Sequence, residues 1–514
     1  MIDTTENAAV YFVDRHADSA YRDKIAFVEA GGGCRSISYA KLAYETGRVA
    51  HLLERHELDH EDRVAMLVLD QIEFPVIFWG SLKAGVVPIA LNTLLATDVY
   101  DVILRDSRAR ALFISRELLP VVAPILGNLR YLSKVFVIGG EAPAGALSFE
   151  RELAACESRP PIAVSPDECA FWLYSSGSTG QPKGVRHVHS SLKYTADTYG
   201  AQVLKIEHED IVYSAAKMFF AYGLGNAMTF PLSVGATTIL YAGRPTPDAV
   251  FDILDRLKPT VFCGVPTLYA AMDAQLEAGR GHFSAPLRRC ISAGEALPKE
   301  VGEKWRRLTG VDILDGVGST ELLHIFLSNR SDDVVYGTSG VPVPGYDVQL
   351  VDEHDHEVAE GEVGELLVRG GSAASDYWNR RDKSRSTFQG HWTRTGDKYE
   401  KLPGGRFAYC GRTDDMFKVS GIWVAPFEVE QALITHSSVL EAAVVSARDA
   451  DGLEKPKAFV VLKPGADVGN LAAALKDHVK DRIGKWKYPR WVEIIPELPK
   501  TATGKIQRFK LRGE

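Results

Sequence analysis

The sequence predicts an α/β protein: a large N-terminal domain of doubly wound, mostly parallel sheets with a β-rich subdomain, and a small α+β C-terminal domain. Three observations predict it. Short runs rich in Val, Ile and Phe alternate with amphipathic stretches of helical length as far as residue 316, the rhythm of parallel strands covered by helices on both faces. From about Gly337 the pieces become shorter and β-like, separated by Gly and Pro, and after GRTDD (Gly411 to Asp415) strand-like and helix-like segments mix in about 100 residues, an ordinary size for a separate domain.

Taken in order, the first strands are RVAMLVL (Arg63 to Leu69), VVPIAL (Val86 to Leu91), RALFIS (Arg110 to Ser115) and KVFVIGG (Lys134 to Gly140). The alternation resumes with IVYSAA (Ile211 to Ala216), ATTILYA (Ala236 to Ala242), TVFCGVP (Thr260 to Pro266), RRCISAG (Arg288 to Gly294) and VDILDG (Val311 to Gly316). GTSGVPVPGYDVQLVDE and GEVGELLVRGG carry the β-rich subdomain, expected at about 337–411. In the C-terminal part EAAVVSA and KAFVVL read as strands, Asn470 to Ile483 as a helix and WVEIIPEL as a further strand. The expected boundary lies between 413 and 414, giving domains 1–413 and 414–514.

The chain has 514 residues, 46% of them hydrophobic and 25% charged, which supplies ample core for several domains. A formal charge of -8 gives no overall basic field for nucleic acid or an anionic membrane. The six cysteines stand singly at 34, 156, 169, 263, 290 and 410, with no metal-type spacing, as expected of reduced thiols in the cytoplasm. The start, MIDTTENAAVYF, lacks a basic region followed by an apolar run, so no signal peptide is expected. No apolar run approaches the ~20 residues of a membrane span.

The stretch YSSGSTGQPKGVRH, Tyr174 to His187, concentrates three glycines, hydroxyls at Ser175, Ser176, Ser178 and Thr179, and the cation Lys183. Gly177 and Gly180 let main-chain N–H groups crowd around an anion, so the loop suits phosphate. It is not a Walker A loop, which needs Gly-Lys-Ser/Thr at another spacing. His187 and His189 follow as RHVH; with no third ligand near, they read as structural hydrogen bonders rather than as a metal pair.

Further motifs follow in order: SAGEAL (Ser292 to Leu297), DGVGSTE (Asp315 to Glu321), TRTGD (Thr393 to Asp397), GRTDDMFKVSG (Gly411 to Gly421) and PKTATGK (Pro499 to Lys505). Together with the Gly/Ser/Thr loop they resemble the adenylate-forming superfamily of acyl-CoA synthetases, peptide-synthetase adenylation domains and luciferases. SAAKMFFAYGLGNAMTFP, RPTPDAVF, GSTELLHIFLSN and ELPKTATGKIQRFKLR narrow the resemblance to the benzoate-CoA ligase family, with its relatives that take hydroxybenzoates.

That resemblance implies formation of benzoyl-CoA, AMP and pyrophosphate from benzoate, ATP and CoA through a benzoyl-adenylate, with Mg²⁺. It implies that Ser175, Ser176, Gly177, Ser178, Thr179, Gly180 and Lys183 enclose the leaving phosphates. It assigns the α-phosphate to Thr320, Mg²⁺ to Glu321, the adenine to Gly294, Glu295, Asp315 and Gly316, the ribose to Asp397, and ribose or phosphate to Arg412. It implies that the small C-terminal domain is mobile, with a hinge at Asp414. By the same resemblance Lys505 would serve adenylation, the strip Lys418, Ser420 and Gly421 would lie beside the thiol tunnel, and Lys485, Lys487 and Arg490 would meet CoA phosphates.

The implied acyl pocket comprises Phe220, Ala221, Tyr222, Gly223, Ala293, Gly294, Gly318, His324 and Ile325. Its aromatics and small residues leave a slot the thickness of one ring. A core role is the alternative for Phe220 and Tyr222, and His324 either meets a ring hydroxyl or packs. Benzoate is the expected acid, with 4-hydroxybenzoate or another substituted benzoate as the alternative. Loading of a separate carrier protein is a second alternative, and a nucleotide-binding regulator without catalysis a third. Small molecules are the expected partners, without nucleic acid or membrane; a homodimer stays open.

Overall fold

A computed structural model describes residues 6–31, 33–176, 181–419, 422–450, 452–466, 469–484, 487–500 and 506–512. The chain divides into two compact units, residues 1–347 with 368–393, and residues 348–367 with 394–514.

The first unit holds two large sheets. Among the described residues one has eight strands, in the order Asp376–Tyr377, Pro182–Val188, Cys169–Ser176, Val87–Ala90, Arg63–Leu67, Ala111–Ser115, Lys134–Ile138 and Leu147–Ser148. Its pairs are parallel from Cys169–Ser176 onward and antiparallel before it. The other has nine strands, with a parallel centre of Ile313–Gly318, Arg289–Ser292, Val261–Gly264, Ile211–Ser214, Thr237–Leu240 and Ile25–Glu29. Antiparallel Ile325–Ser328 and Val341–Pro342 extend one side and Ser36–Ser38 the other.

Every residue of Val87–Ala90, Ala111–Ser115 and Val261–Gly264 is buried, as strands covered on both faces must be. That is why these runs read as continuous apolar stretches. The helices show the complementary pattern. Pro247–Leu257 starts at Thr246, whose hydroxyl accepts the Ala249 N–H, has proline in its first turn, and buries Val250, Phe251, Ile253 and Leu254 on one side. Those side chains join Phe262, Tyr269, Cys290 and Trp305 in one core cluster.

The second unit contains the hairpin Trp392–Leu402 and Arg406–Arg412, the short pair Phe417–Val419 and Ile422–Val424, and a sheet of Val439–Arg448, Glu454–Leu462 and Trp491–Ile494. Helices Pro426–Ile434 and Leu471–Ile483 cover that sheet around Val429, Leu433, Val444, Val460, Leu475 and Val479. Each strand and helix expected from the sequence is present, with ends that differ by a few residues. No helix among the described residues is long and apolar enough to cross a membrane, and all six cysteines are free thiols.

Candidate active site

In parallel α/β sheets, ligands collect beyond the carboxyl ends of the strands, and the residues singled out in the first unit lie there. Cys169–Ser176 delivers Ser175 and Ser176, and the returning strand Pro182–Val188 delivers Lys183. The two strands form a hairpin in which Ser175 pairs with Lys183 and Ser176 with Pro182. Ser175 Oγ is buried with no hydrogen-bond partner among the described residues. The Lys183 ammonium lies 4.5 Å from the centre of the Tyr377 ring. Gly177, Ser178, Thr179 and Gly180 lie outside the described residues, as does the side chain of Ser176.

Ile313–Gly318 delivers the Thr320–Glu321 turn. His187 donates from Nε2 to the Thr320 carbonyl at 2.8 Å while stacking on Phe171 at 5.1 Å. Burial holds its pKa down at about 4, so the ring stays neutral. His189 is likewise buried, and its Nδ1 accepts the Ala8 N–H at 3.2 Å. Both histidines therefore make structural hydrogen bonds. The Tyr377 hydroxyl donates to Glu321 Oε1 at 2.8 Å, and the Glu321 carbonyl accepts the Ala374 N–H at 2.8 Å. Glu321 is a single carboxylate: no group of three or more His, Cys, Asp or Glu that would hold a metal occurs among the described residues. That donor set fits Mg²⁺, which keeps several waters and takes only one or two protein carboxylates.

Arg289–Ser292 leads to buried Ala293 and to Gly294, whose φ of +95° suits glycine and whose surroundings are open, beside exposed Glu295. On the neighbouring strand Asp315 pairs with Ser292. Asp315 is 5% exposed; Oδ2 accepts the Leu297 N–H at 3.4 Å and Oδ1 has no partner. Burial pushes its carboxyl well above the usual carboxylate range. A methyl group on Gly316 would lie 2.8 Å from the Leu327 carbonyl oxygen, and one on Gly318 2.4 Å from that of His324, so both close the hairpin to Ile325–Ser328.

Ile211–Ser214 leads into the aromatic turn. Phe220 lies just ahead of Ala221–Leu224 and packs against Phe219 at 4.4 Å. Phe220 and Ala221 are partly buried. Tyr222 directs its hydroxyl to the carbonyls of Gly264 and Ile291, at 3.1 and 3.2 Å, on two adjacent strands. Gly223 is required by space, since a methyl there would lie 2.0 Å from the Lys217 carbonyl oxygen and 2.6 Å from that of Ala216. His324, 2% exposed, is ringed by Phe230, Tyr199 and Tyr222 at 4.6, 5.0 and 5.9 Å. Its Nε2 faces the Tyr222 carbonyl at 3.3 Å, Nδ1 has no partner, and burial holds the ring neutral with a pKa of about 3. With Nε2–H donating, Nδ1 presents a lone pair. Ile325 is buried beside it.

In the second unit Asp397 pairs across the hairpin with Arg412, whose Nη1 reaches Asp397 Oδ1 at 2.8 Å. Burial works against the guanidinium charge, but Asp397 more than offsets it and holds the pKa above its ordinary value. Asp414 is exposed, while Asp415 accepts from Arg508 and Arg512 at 3.4 and 3.2 Å. Lys487 pairs with Glu428 at 2.6 Å, and Arg490 lies 3.6 Å over the Tyr488 ring. Ser420, Gly421, Lys485 and Lys505 lie outside the described residues, as does the Lys418 side chain.

Sequence reasoning missed Tyr377, Asp70 and Lys217. Tyr377 sits in DYWN with no motif of its own. The other two had a signal: an aspartate closing the apolar run RVAMLVLD and a lysine inside SAAKMFFAYG.

The AMP-binding enzyme profile matches residues 13–378, and that of the AMP-binding enzyme C-terminal domain matches residues 428–505. The chain is 52% identical over 509 residues to a 4-hydroxybenzoate–CoA/benzoate–CoA ligase of Rhodopseudomonas palustris, covering 98% of this chain and 94% of that one. It is 52% identical over 511 residues to a benzoate–CoA ligase of Thauera aromatica, covering 99% and 96%. Its fold matches the crystal structure of a benzoate CoA ligase from Burkholderia xenovorans LB400 with a TM-score of 0.90 and 47% identity, over 98% of this chain and 99% of that one. With these motifs, this fold and matches that run nearly end to end, the chain belongs to the AMP-binding enzyme family.

Proposed function

We propose that the protein is an ATP-dependent benzoate–CoA ligase. A benzoate oxygen attacks the α-phosphorus of ATP and pyrophosphate leaves. The CoA thiol then loses its proton as its sulfur attacks the acyl carbon of benzoyl-AMP, and AMP leaves. The observation that carries the reading is the aromatic turn Phe220, Ala221, Tyr222 and Gly223, whose Tyr222 ring and carbonyl meet buried His324; with Ala293 and Gly318 it would line the acyl slot. Its aromatic wall is anchored to the sheet by the Tyr222 hydroxyl, and a flat ring is its natural occupant.

The first half-reaction brings two anions together, so positioned donors and cations must act before chemistry begins. Ser175 Oγ and Lys183, with the Gly177–Gly180 loop, serve the β- and γ-phosphates, and Thr320 serves the α-phosphate. Mg²⁺, held through Glu321, would neutralise phosphate charge. Asp315 and Gly294 face the adenine, and Asp397, braced by Arg412, accepts the ribose hydroxyls. Lys505 belongs to adenylation and Gly421 to the thiol step. In this reading residues 414–514 are the moving part, and the enzyme works in the cytoplasm on small molecules.

A second reading, acceptance of 4-hydroxybenzoate, is favoured by one observation. His324 Nδ1 is a buried acceptor without a donor, and a phenolic O–H would satisfy it. The test is an initial-rate panel with benzoate, 2-, 3- and 4-hydroxybenzoate, aminobenzoates, acetate and a medium-chain fatty acid, read by AMP release. Aryl acids should exceed the linear acids by at least about tenfold in kcat/KM, roughly 1.4 kcal/mol. A preference for a linear acid would overturn the aryl assignment.

A further inference from the structure

Three hydrogen bonds converge on residue 217, three positions before the aromatic turn. Its ammonium donates to the carbonyl oxygens of Tyr241 and, at 2.8 Å, Gly243. Its own carbonyl accepts the Phe220 N–H at 3.0 Å and is the oxygen that would meet a methyl on Gly223 at 2.0 Å. The next N–H, of Met218, points to both carboxylate oxygens of Asp70 at 3.3 and 3.4 Å. Asp70 follows the strand Arg63–Leu67 of the other large sheet and is 5% exposed.

A buried carboxylate and a half-buried ammonium are costly unless each balances the other. Asp70 is faced by the Lys217 ammonium, the Met218 N–H and the Tyr213 phenol. Burial pushes Asp70 up to about 6 and Lys217 down, and in each case the partner's charge opposes the shift. A hydrophobic pair would fill the same volume more cheaply, so the charges call for a reason beyond filling a core.

We propose that Lys217, balanced by Asp70, is a positioning residue for the aryl acid. The anchored ammonium fixes the peptide that seats Phe220 and closes on Gly223, and the Met218 N–H ties that peptide to Asp70, so the wall of the acyl slot is set from behind by a hydrogen-bonded strut between the two sheets. The inference rests on the acyl-slot reading given above.

The test compares Lys217→Met, Lys217→Arg and Asp70→Asn in the full chain, with KM for benzoate and for ATP measured separately by pyrophosphate exchange. Lys217→Met should raise the benzoate KM by about tenfold or more while the ATP KM stays within about twofold, because only one substrate meets this wall. Lys217→Arg, which keeps the charge and can still donate, should return the benzoate KM to within about threefold of wild type. Asp70→Asn should move the benzoate KM in the same direction as Lys217→Met. An unchanged benzoate KM in soluble Lys217→Met, or parallel rises for acid and ATP, would overturn the proposal. Should Lys217→Met fail to fold, Asp70→Asn decides: an unchanged benzoate KM overturns the proposal and a selective rise supports it. If wild type activates another carboxylate but not benzoate, the substrate reading fails, and the same comparison is read with that carboxylate.

Discussion

Tyr377 donates its phenolic hydrogen to Oε1 of Glu321 at 2.8 Å. The same ring carries the Lys183 ammonium 4.5 Å from its centre. One side chain thus steadies both the carboxylate that would hold Mg²⁺ and the lysine at the root of the phosphate loop.

Tyr377→Phe keeps the ring and removes the hydrogen bond. A hydrogen bond to a charged acceptor is worth about 1.5 kcal/mol at the low end, or roughly a tenfold effect. Half-saturation by Mg²⁺ in pyrophosphate exchange should therefore rise about tenfold while the benzoate KM stays near wild type. An unchanged Mg²⁺ dependence would dissociate Tyr377 from the metal carboxylate.

His187 is held neutral by burial, with a pKa of about 4 against an ordinary 6.5. The unfolded chain therefore binds more protons between these values. The stabilisation is complete above pH 6.5 and lost as pH falls toward 4. Buried carboxyls such as Asp70, whose pKa is raised, act with the opposite sign in the same window, so the informative quantity is a difference. His187→Phe keeps an aromatic ring against Phe171. Its stability relative to wild type, from urea midpoints, should improve with acidification by up to about 1.4 kcal/mol per pH unit between 6.5 and 4.

Gly223→Ala places a methyl 2.0 Å from one backbone carbonyl oxygen and 2.6 Å from another. Neither oxygen belongs to a flexible side chain, so the turn itself must shift. The expected cost is about 2 kcal/mol, visible as a lower melting temperature together with a raised benzoate KM. Retention of both wild-type values would mean that the turn is looser than its contacts imply.

Arg508 donates from Nε and Nη2 to Glu430, which is 4% exposed and also accepts the Val444 N–H at 2.8 Å. Arg508→Met strands that carboxylate and should destabilise the second unit by about 3 kcal/mol. Adding Glu430→Gln should recover much of the loss. Hydrogen exchange along Val439–Arg448 reports both effects locally.

What could be read from the sequence divides along physical lines. Ala111–Ser115 was legible because a strand covered on both faces has one composition throughout. Pro247–Leu257 was legible because its cap, proline and apolar spacing agree. The turn at Phe220 to Gly223 was legible from its resemblance, although the reason for its glycine, the crowding carbonyl of Lys217, is a matter of three dimensions. Tyr377 was silent because its partner stands 56 positions away, and the aspartate that closes RVAMLVLD gave no hint of its partner, 148 positions on. Periodicity reports only neighbours along the chain.

The Tyr222 hydroxyl has one hydrogen and two carbonyls within reach, on strands that belong to the centre of the nine-stranded sheet. Losing it would leave the Ile291 oxygen with the Tyr269 hydroxyl at 3.0 Å but would take a donor from the Gly264 oxygen and break the link between the two strands. For anyone redesigning the enzyme to take a bulkier acid, Tyr222 is therefore chassis rather than fitting. Room is better sought at Ile325 or His324, whose side chains make no such hydrogen bond to another strand's backbone among the described residues, and a library that randomises Tyr222 alongside them gives up the tie it makes between two central strands.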